Sequence, residues 1–393
     1  MNMISLRMKR RATIRRQAGF SLVELMVSIV IGLVILAAMV ALFVNSSGAN
    51  RELARANTLV ENGRLAIELL ESDVVHAGYW GSYMPNFDDQ TFGDVPTDAP
   101  SAVPDPCLAY DTPWTNQHRL NLIGVPVNVY DSNTFCTPIV VNKQPTTDVL
   151  VVRHAELCDA ITDPDDNCED DIDGNVYFQA SRCGTDLVRF RFGTVDDTTF
   201  DLNQLDCATP TEKRKFISNI YYIRDYAVTP DDGIPTLVRS TFTMANPGDV
   251  PAQQLAAPLI VGIEGFRVEL GIDNRSNPYT GQPTGSLVNY AQAINWLDPD
   301  TRTTPTNRGD GSPDGAFIEC TTATPCTAAQ LMNVTAVKLY VLVRSREPAP
   351  NYTDTKTYQV GTTLMGPFND GFKRHVYVST LRLPNIAGRR QTP

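Results

Sequence analysis

The N-terminal part of the chain follows a single helical pattern. Residues 25–44 form a run of 20 without a charge, long enough to cross ~30 Å of hydrocarbon at about 1.5 Å per residue. Beyond this run, apolar residues recur at spacings of three and four, as on one face of a continuing helix; they are Leu53, Ala56, Val60, Gly63, Ile67, Leu70 and Val74. The pattern predicts a helix over residues 20–78 with a membrane-spanning segment at 25–44, ended by Gly78 and Gly81.

The second half of this helix has two interpretations. Its apolar face either packs against a globular head or pairs with another helix in a coiled coil. Only three heptads follow the charge-free run, which is few for a coiled coil. The sequence therefore favours packing against a head.

The rest of the chain changes to a period of two. Val188, Phe190 and Phe192 alternate with Arg189 and Arg191, as on a sheet with one buried face. The strand candidates are 149–153, 187–192, 216–224, 260–271, 334–343 and 375–383. Strands that follow one helix predict an α+β fold, in which the long N-terminal helix packs on a mostly antiparallel head over 79–393.

Two long segments rich in Asp, Pro, Gly and Thr are predicted as loops, at 86–106 and 273–333. A loop as long as the second is usually functional or disordered. It is either a surface for a partner or a solvated excursion, and the sequence does not decide between these.

Charge divides the chain into two parts. Residues 1–19 hold six of the 33 basic residues and no acid, which leaves 27 basic against 44 acidic residues, a net charge of −17. So acidic a body argues against nucleic acid as a partner, because phosphate binding needs clustered Lys and Arg. The positive-inside rule places the basic segment in the cytoplasm and the body on the other side of the membrane.

The eight cysteines lie between Cys107 and Cys326 and include no C-x-x-C pair. An even number at wide spacings favours disulfides in an oxidising compartment over a zinc site. Short separations suggest two pairs, Cys158 with Cys168 and Cys320 with Cys326. The remaining connectivity is open.

No motif for catalysis is visible. The four histidines are scattered, and the chain has no P-loop, G-x-S-x-G or dinucleotide-binding glycine pattern. We expect neither enzymatic activity nor a cofactor.

An acidic segment near residue 170 is the one metal candidate. Asp171 and Asp173 precede Gly174 in a fragment that resembles a calcium loop, but the glutamate that would complete an EF-hand is missing. The segment either binds calcium weakly or is a solvated acidic loop.

Glu24 is the one acid within the apolar helix. It lies four residues after Phe20, where an ionised carboxylate costs about 2–3 kcal/mol unless it reaches the interface or a partner. Snorkelling to the interface and pairing with another group are both open.

The string Gly19-Phe20-Ser21-Leu22-Val23-Glu24-Leu25-Met26-Val27, after a basic leader and before a long apolar helix, resembles the class III signal of type IV pilins and pseudopilins. The resemblance implies that residues 1–19 are a leader, and that a prepilin peptidase cuts between Gly19 and Phe20 and N-methylates Phe20. It also implies that Glu24 pairs with the Phe20 α-amine of a neighbouring subunit. Two buried charges that are each costly alone are tolerable when they meet.

The body resembles PilW-type minor pilins in looser motifs: Glu68 to Asp73, His76 to Gly81, Tyr221 to Arg239, Val261 to Phe266, Val337 to Arg344 and Thr380 to Arg382. This resemblance implies a low-abundance subunit at or near the pilus tip that starts assembly and binds other minor pilins, the major pilin and a large tip adhesin. It implies a single-pass inner-membrane protein with a periplasmic head that later enters the surface fibre and serves adhesion and twitching motility.

Two other readings of the sequence remain. One is a J-type minor pseudopilin of a type II secretion system, which has a similar leader and head. The other is a single-pass periplasmic binding or sensor module, for which Gly19→Ala would leave processing unchanged.

Overall fold

The computed structural model describes residues 19–111, 114–158, 172–194, 200–279, 281, 284–303 and 305–391. In this part of the chain the helices are α1 (Leu22–Val74), α2 (Asn116–Gly124), α3 (Ala328–Leu331) and α4 (Pro384–Arg390). The strands are β1 (Val127–Tyr130), β2 (Val149–Ala155), β3 (Val176–Ala180), β4 (Phe190–Thr194), β5 (Lys213–Arg224), β6 (Thr236–Thr243), β7 (Ala252–Gln253), β8 (Ala257–Val261), β9 (Ile263–Ile272), β10 (Val334–Arg344), β11 (Tyr358–Val360), β12 (Thr363–Met365) and β13 (Arg374–Arg382).

The strands form two main sheets and a hairpin. The larger sheet has the order β1-β2-β5-β3-β4, and β6 joins β5 and carries β7 and β8. The smaller sheet has the order β13-β10-β9, and β11 pairs with β12. All these pairings are antiparallel. The predicted α+β fold with a mostly antiparallel head is confirmed.

The chain divides into two compact units, one up to Ala54 and one from Arg55 onward. Residues 55–74 of α1 therefore belong to the head. Within the head, Ala66, Leu70 and Val74 are fully buried in one core with apolar residues of β2, β9 and β10. Full burial of a Leu or Val side chain contributes about 1.5–3 kcal/mol.

The buried face of α1 differs in part from the predicted one. Gly63, Leu70 and Val74 are buried, but Leu53 and Val60 are 62% and 54% exposed. Leu59, Gly63, Ala66, Leu70 and Val74 keep helical spacings of three and four and form the face that packs on the core. The sequence pattern was ambiguous here because Leu53, Ala56 and Val60 lie on an adjacent face with the same spacing.

The single strand predicted at 260–271 is wrong, since β8 and β9 are separate strands on different sheets. Gly262 lies between them with φ +84°, a conformation that glycine adopts without penalty. Its N–H donates to Pro235 O at 2.7 Å, and its carbonyl accepts from Arg344 N at 2.8 Å. A glycine in a strand pattern marks such a bend. Before Gly262 the chain pairs with β6, and after it the chain pairs with β10.

Other boundaries also shift. The strand predicted from Leu187 begins at Phe190, and Leu187 itself is 99% exposed. Helix α1 ends at Val74, before the predicted residue 78, and Gly78 and Gly81 have φ +74° and +58° in the turns that follow. Backbone hydrogen bonds hold the segment 273–333 at several points. Helix α3 lies near its end.

Candidate assembly site on the N-terminal helix

Glu24 closes the N-terminus of its own helix. Ser21 N donates to Glu24 Oε2 at 2.8 Å, and Glu24 N donates to Ser21 Oγ at 3.2 Å. These reciprocal bonds are a capping box, which satisfies two backbone donors that a helix start leaves without partners. The negative carboxylate also lies at the positive end of the helix dipole. In the single chain, Glu24 thus has a partner before any other subunit arrives.

Gly19 and Phe20 lie just before this cap and outside the helix. Phe20 is 85% exposed, and a Cβ at position 19 would meet no atom within 4 Å. The predicted cleavage bond therefore lies in an uncovered stretch next to the first helical turn. The leader residues before Gly19 lie outside the described residues.

The first half of α1 presents apolar side chains on every face. Each large apolar side chain from Leu22 to Val44 is at least half exposed. Within the described residues, α1 is one helix long and apolar enough to cross a membrane by length and composition. An apolar surface of this extent marks contact with lipid or with other apolar helices.

The last turn of α1 is fixed to the head by Asp73. Its Oδ1 lies 2.9 Å from His154 Nε2 on β2, and both carboxylate oxygens accept from Asn219 Nδ2 on β5 at 3.1 Å. About three turns earlier, Asn62 Nδ2 donates to Val261 O at 3.0 Å. Polar contacts to three strands of the larger sheet, β2, β5 and β8, thus supplement the apolar packing.

The C-terminal helix α4 is held by a buried arginine. Arg390, 2% exposed, donates from Nε to Asp88 Oδ1 at 2.9 Å and from Nη1 to Asn333 Oδ1 at 2.8 Å. Its Nη1 also lies 3.3 Å from Asp273 Oδ2, and burial raises the pKa of Asp273 to about 6. This network has no local signature in the sequence, because two adjacent arginines usually indicate solvated charges.

Disulfides crosslink the head. Cys320 and Cys326 are bonded, as the sequence suggested. Cys107–Cys136 and Cys183–Cys207 are further pairs that the spacing did not specify. Cys158 is also disulfide-bonded, and its predicted partner, Cys168, lies outside the described residues.

The calcium prediction stays untested. Asp171 lies outside the described residues, and Asp173 is exposed in a turn. Among the residues that the structure does describe, no three His, Cys, Asp or Glu side chains are grouped to hold a metal ion.

Two family models match the chain. Residues 14–40 match the prokaryotic N-terminal methylation motif, which covers the predicted cleavage bond, Glu24 and most of the apolar run. With the long apolar helix and the antiparallel head, this match defines a type IV pilin-like protein. Residues 220–385 match type IV pilus-assembly protein W. Together the two matches support a type IV minor pilin, and the resemblance seen in the sequence is confirmed.

Among solved structures, a type IV-like pilin from Thermus thermophilus resembles 84% of this chain and 98% of its own, at 15% identity and a TM-score of 0.29. So distant a likeness adds nothing to the assignment, which rests on the family models. No curated protein matches the chain. The matched family consists of structural pilins, so the class is that of a structural subunit.

Proposed function

We propose that this minor pilin works at or near the tip of a type IV pilus, where it helps to start assembly and contacts other minor pilins, the major pilin and a tip adhesin. The observation that carries the proposal is that one chain joins an N-terminal methylation motif to a PilW-type head. The PilW match also favours a pilus over a type II secretion system.

Maturation begins at the membrane. The apolar half of α1 anchors the precursor in the inner membrane, with the basic leader in the cytoplasm and the head in the periplasm. The prepilin peptidase cleaves between Gly19 and Phe20 and methylates the new Phe20 amine. The exposure of Phe20 supports access of the enzyme to this bond.

Assembly then uses the carboxylate of Glu24. An ionised carboxylate offers about four lone-pair positions, so Glu24 can accept the Ser21 N–H within its own chain and also the ammonium of a neighbour's Phe20. The membrane interior makes each isolated charge costly, and the pair forms when two apolar helices lie side by side. The capping box holds the carboxylate at a fixed place before the neighbour arrives.

Immunogold labelling of fibres tests the proposal, in cells that carry the wild type, Glu24→Gln or the control Glu61→Gln as the only copy. Glutamine can keep the capping box but removes the charge, whereas Glu61 is an exposed residue farther along α1. We expect label at fibre tips for the wild type and Glu61→Gln, and loss of label with normal leader cleavage for Glu24→Gln. Label spread along the shaft would contradict the proposal. So would a deletion of the gene that abolishes protein secretion and leaves the pili intact.

A further inference from the structure

A cavity of about 430 Å³ lies beside the free edge of β1 in the head. Its walls are the segment 103–106, the end of β1 with the turn up to Phe135, and the loop closed by Cys320 and Cys326. The volume lies within the range of small-molecule sites. Neither Glu24 nor any other residue of the assembly site lines it.

Covalent and polar links hold the walls in place. The Cys107–Cys136 disulfide ties the segment after Pro106 to the turn after Phe135. Asp131 Oδ1 accepts from Thr322 N at 3.0 Å, which joins the end of β1 to the Cys320–Cys326 loop. A preformed cavity avoids much of the ordering cost of binding.

Flat apolar surfaces line one part of the cavity. The rings of Tyr130 and Phe135 stack with centroids 3.8 Å apart and an interplanar angle of 10°. Both residues are half-buried, and the rings of Pro104, Pro106 and Pro325 lie on the same lining. Such surfaces suit a ligand with a flat apolar ring face.

A buried donor in the lining lacks a hydrogen bond of standard geometry. Asn128 is 3% exposed, and its Oδ1 accepts from Val129 N at 2.8 Å. Its Nδ2 makes no hydrogen bond of standard geometry to the residues that the structure describes, although the side chain also interacts with the Tyr130 hydroxyl. Leaving a buried donor without a well-formed hydrogen bond costs about 1–3 kcal/mol, so an acceptor on a ligand would remove that cost.

The charges of the lining favour a neutral ligand. Asp105 and Asp131 are the only charged residues in the lining that the structure describes. Each already interacts with a cation of the protein, Asp105 with Arg153 and Asp131 with Lys143. The carboxylates would repel an anion, and the neighbouring cations remove the need for a positively charged ligand. What they can accept is hydroxyl hydrogen bonds.

An extended peptide added to β1 fits less well. Arg153 N donates to Pro126 O at 2.8 Å, so these two residues form a hydrogen-bonded pair of the antiparallel ladder. Because such pairs alternate along the strands with pairs whose backbone groups point outward, the Val129 N–H points away from β2. That outward N–H is already bonded to the side chain of Asn128. With only four residues, β1 offers few free backbone groups for strand addition.

We propose that this cavity binds a neutral saccharide. A sugar ring packs its apolar face on the Tyr130–Phe135 pair, one of its oxygens accepts from Asn128 Nδ2, and its hydroxyls donate to Asp105 and Asp131. The site lies wholly within the head and does not depend on the position of the subunit in a fibre.

The experiment screens the full-length protein against immobilised neutral and anionic glycans and extended peptides, in a polyoxyethylene detergent because sugar-based detergents would compete. Neutral glycans that bind are then titrated by calorimetry. Asn128→Asp replaces the amide donor by an acceptor, and Thr134→Trp fills the cavity from an exposed rim position. Ala245→Trp adds the same ring at an exposed position outside the lining. Thermal unfolding checks that each variant is folded.

We expect one or more neutral glycans to bind, a loss of roughly tenfold or more in affinity for Asn128→Asp, no binding by Thr134→Trp and wild-type affinity for Ala245→Trp. Four outcomes would overturn the proposal: no neutral glycan binds at millimolar concentration, folded Asn128→Asp and Thr134→Trp bind like the wild type, only anionic glycans bind, or peptides bind where neutral glycans do not.

Discussion

Gly63 of α1 lies against the ring of Tyr377 on β13. A Cβ at position 63 would be 2.1 Å from Tyr377 Cε2, and the tyrosine hydroxyl donates to Leu59 O at 3.4 Å. The missing side chain lets the helix backbone approach the β13-β10-β9 sheet, so glycine here is a condition for docking the second half of α1 on the head.

Gly63→Ala should lower the free energy of unfolding of the head by about 1–3 kcal/mol, because the added methyl overpacks the contact with Tyr377. Gly48, on the same helix, meets no atom within 4 Å of a built Cβ. Gly48→Ala should therefore not lower head stability, because the added methyl meets no atom and alanine favours a helix over glycine. Denaturant unfolding in detergent measures both.

Removing the ring tests the cause of this effect. In a Tyr377→Ala background, Gly63→Ala should lose most of its cost, because the clashing ring is gone. An equal cost in both backgrounds would show that Tyr377 does not set the requirement for glycine.

Asp73→Ala should destabilise the head by about 1–3 kcal/mol, since it leaves His154 and Asn219 without their shared acceptor. Glu71→Ala, an exposed neighbour on the same turn, is the matched control and should change stability little. Thermal or denaturant unfolding compares the two. Equal small effects would mean that α1 is held by apolar packing alone.

Arg390→Met should destabilise the head by about 3–5 kcal/mol, because it leaves the buried carboxylate of Asp273 without its cation and removes one of the two cations of Asp88, which keeps Arg389 at 3.4 Å. Arg382→Met, at an exposed position, removes the same charge without that consequence. Limited proteolysis should cut the C-terminal helix faster only in Arg390→Met. Similar cleavage of both variants would show that Arg390 does not hold α4 on the head.

The stability of the head should depend on pH through Asp148. Burial raises the pKa of this carboxyl to about 7 against the opposing effect of Arg267, with Glu319 and Lys143 also nearby. Its pKa in the unfolded chain is near 3.8, so the folded state holds the proton more tightly and this group's contribution to stability falls as pH rises from about 4 to 7.

Asp148→Asn mimics the protonated form and should remove this part of the pH dependence. The melting temperature of the wild type relative to Asp148→Asn should therefore fall between pH 4 and pH 7. A difference that stays constant over this range would contradict the assigned pKa.

The sequence could predict the long helix, the antiparallel head and the N-terminal motif because each rests on local patterns. The charge-free run and the order Gly19, Phe20, Glu24 need no knowledge of distant contacts. The capping box was also present locally, as Ser21 followed three residues later by Glu24. The loose PilW-type motifs of the body were enough to indicate the family.

The sequence could not predict what long-range contacts decide. The buried face of α1 depends on where Tyr377 lies, more than 300 residues along the chain. The roles of Asp73 and Arg390 depend on partners on other strands and segments, and the β1 cavity is built from three separate segments. The bend at Gly262 required choosing between two sheets, which the strand pattern alone does not specify.

Mass spectrometry of the N-terminus of the protein purified from its native cells tests the central claim most directly. The account predicts a chain that begins with N-methylated Phe20, and a Gly19→Ala variant that retains the leader. A wild-type chain that begins upstream of Phe20, or a Gly19→Ala variant processed like the wild type, would contradict it.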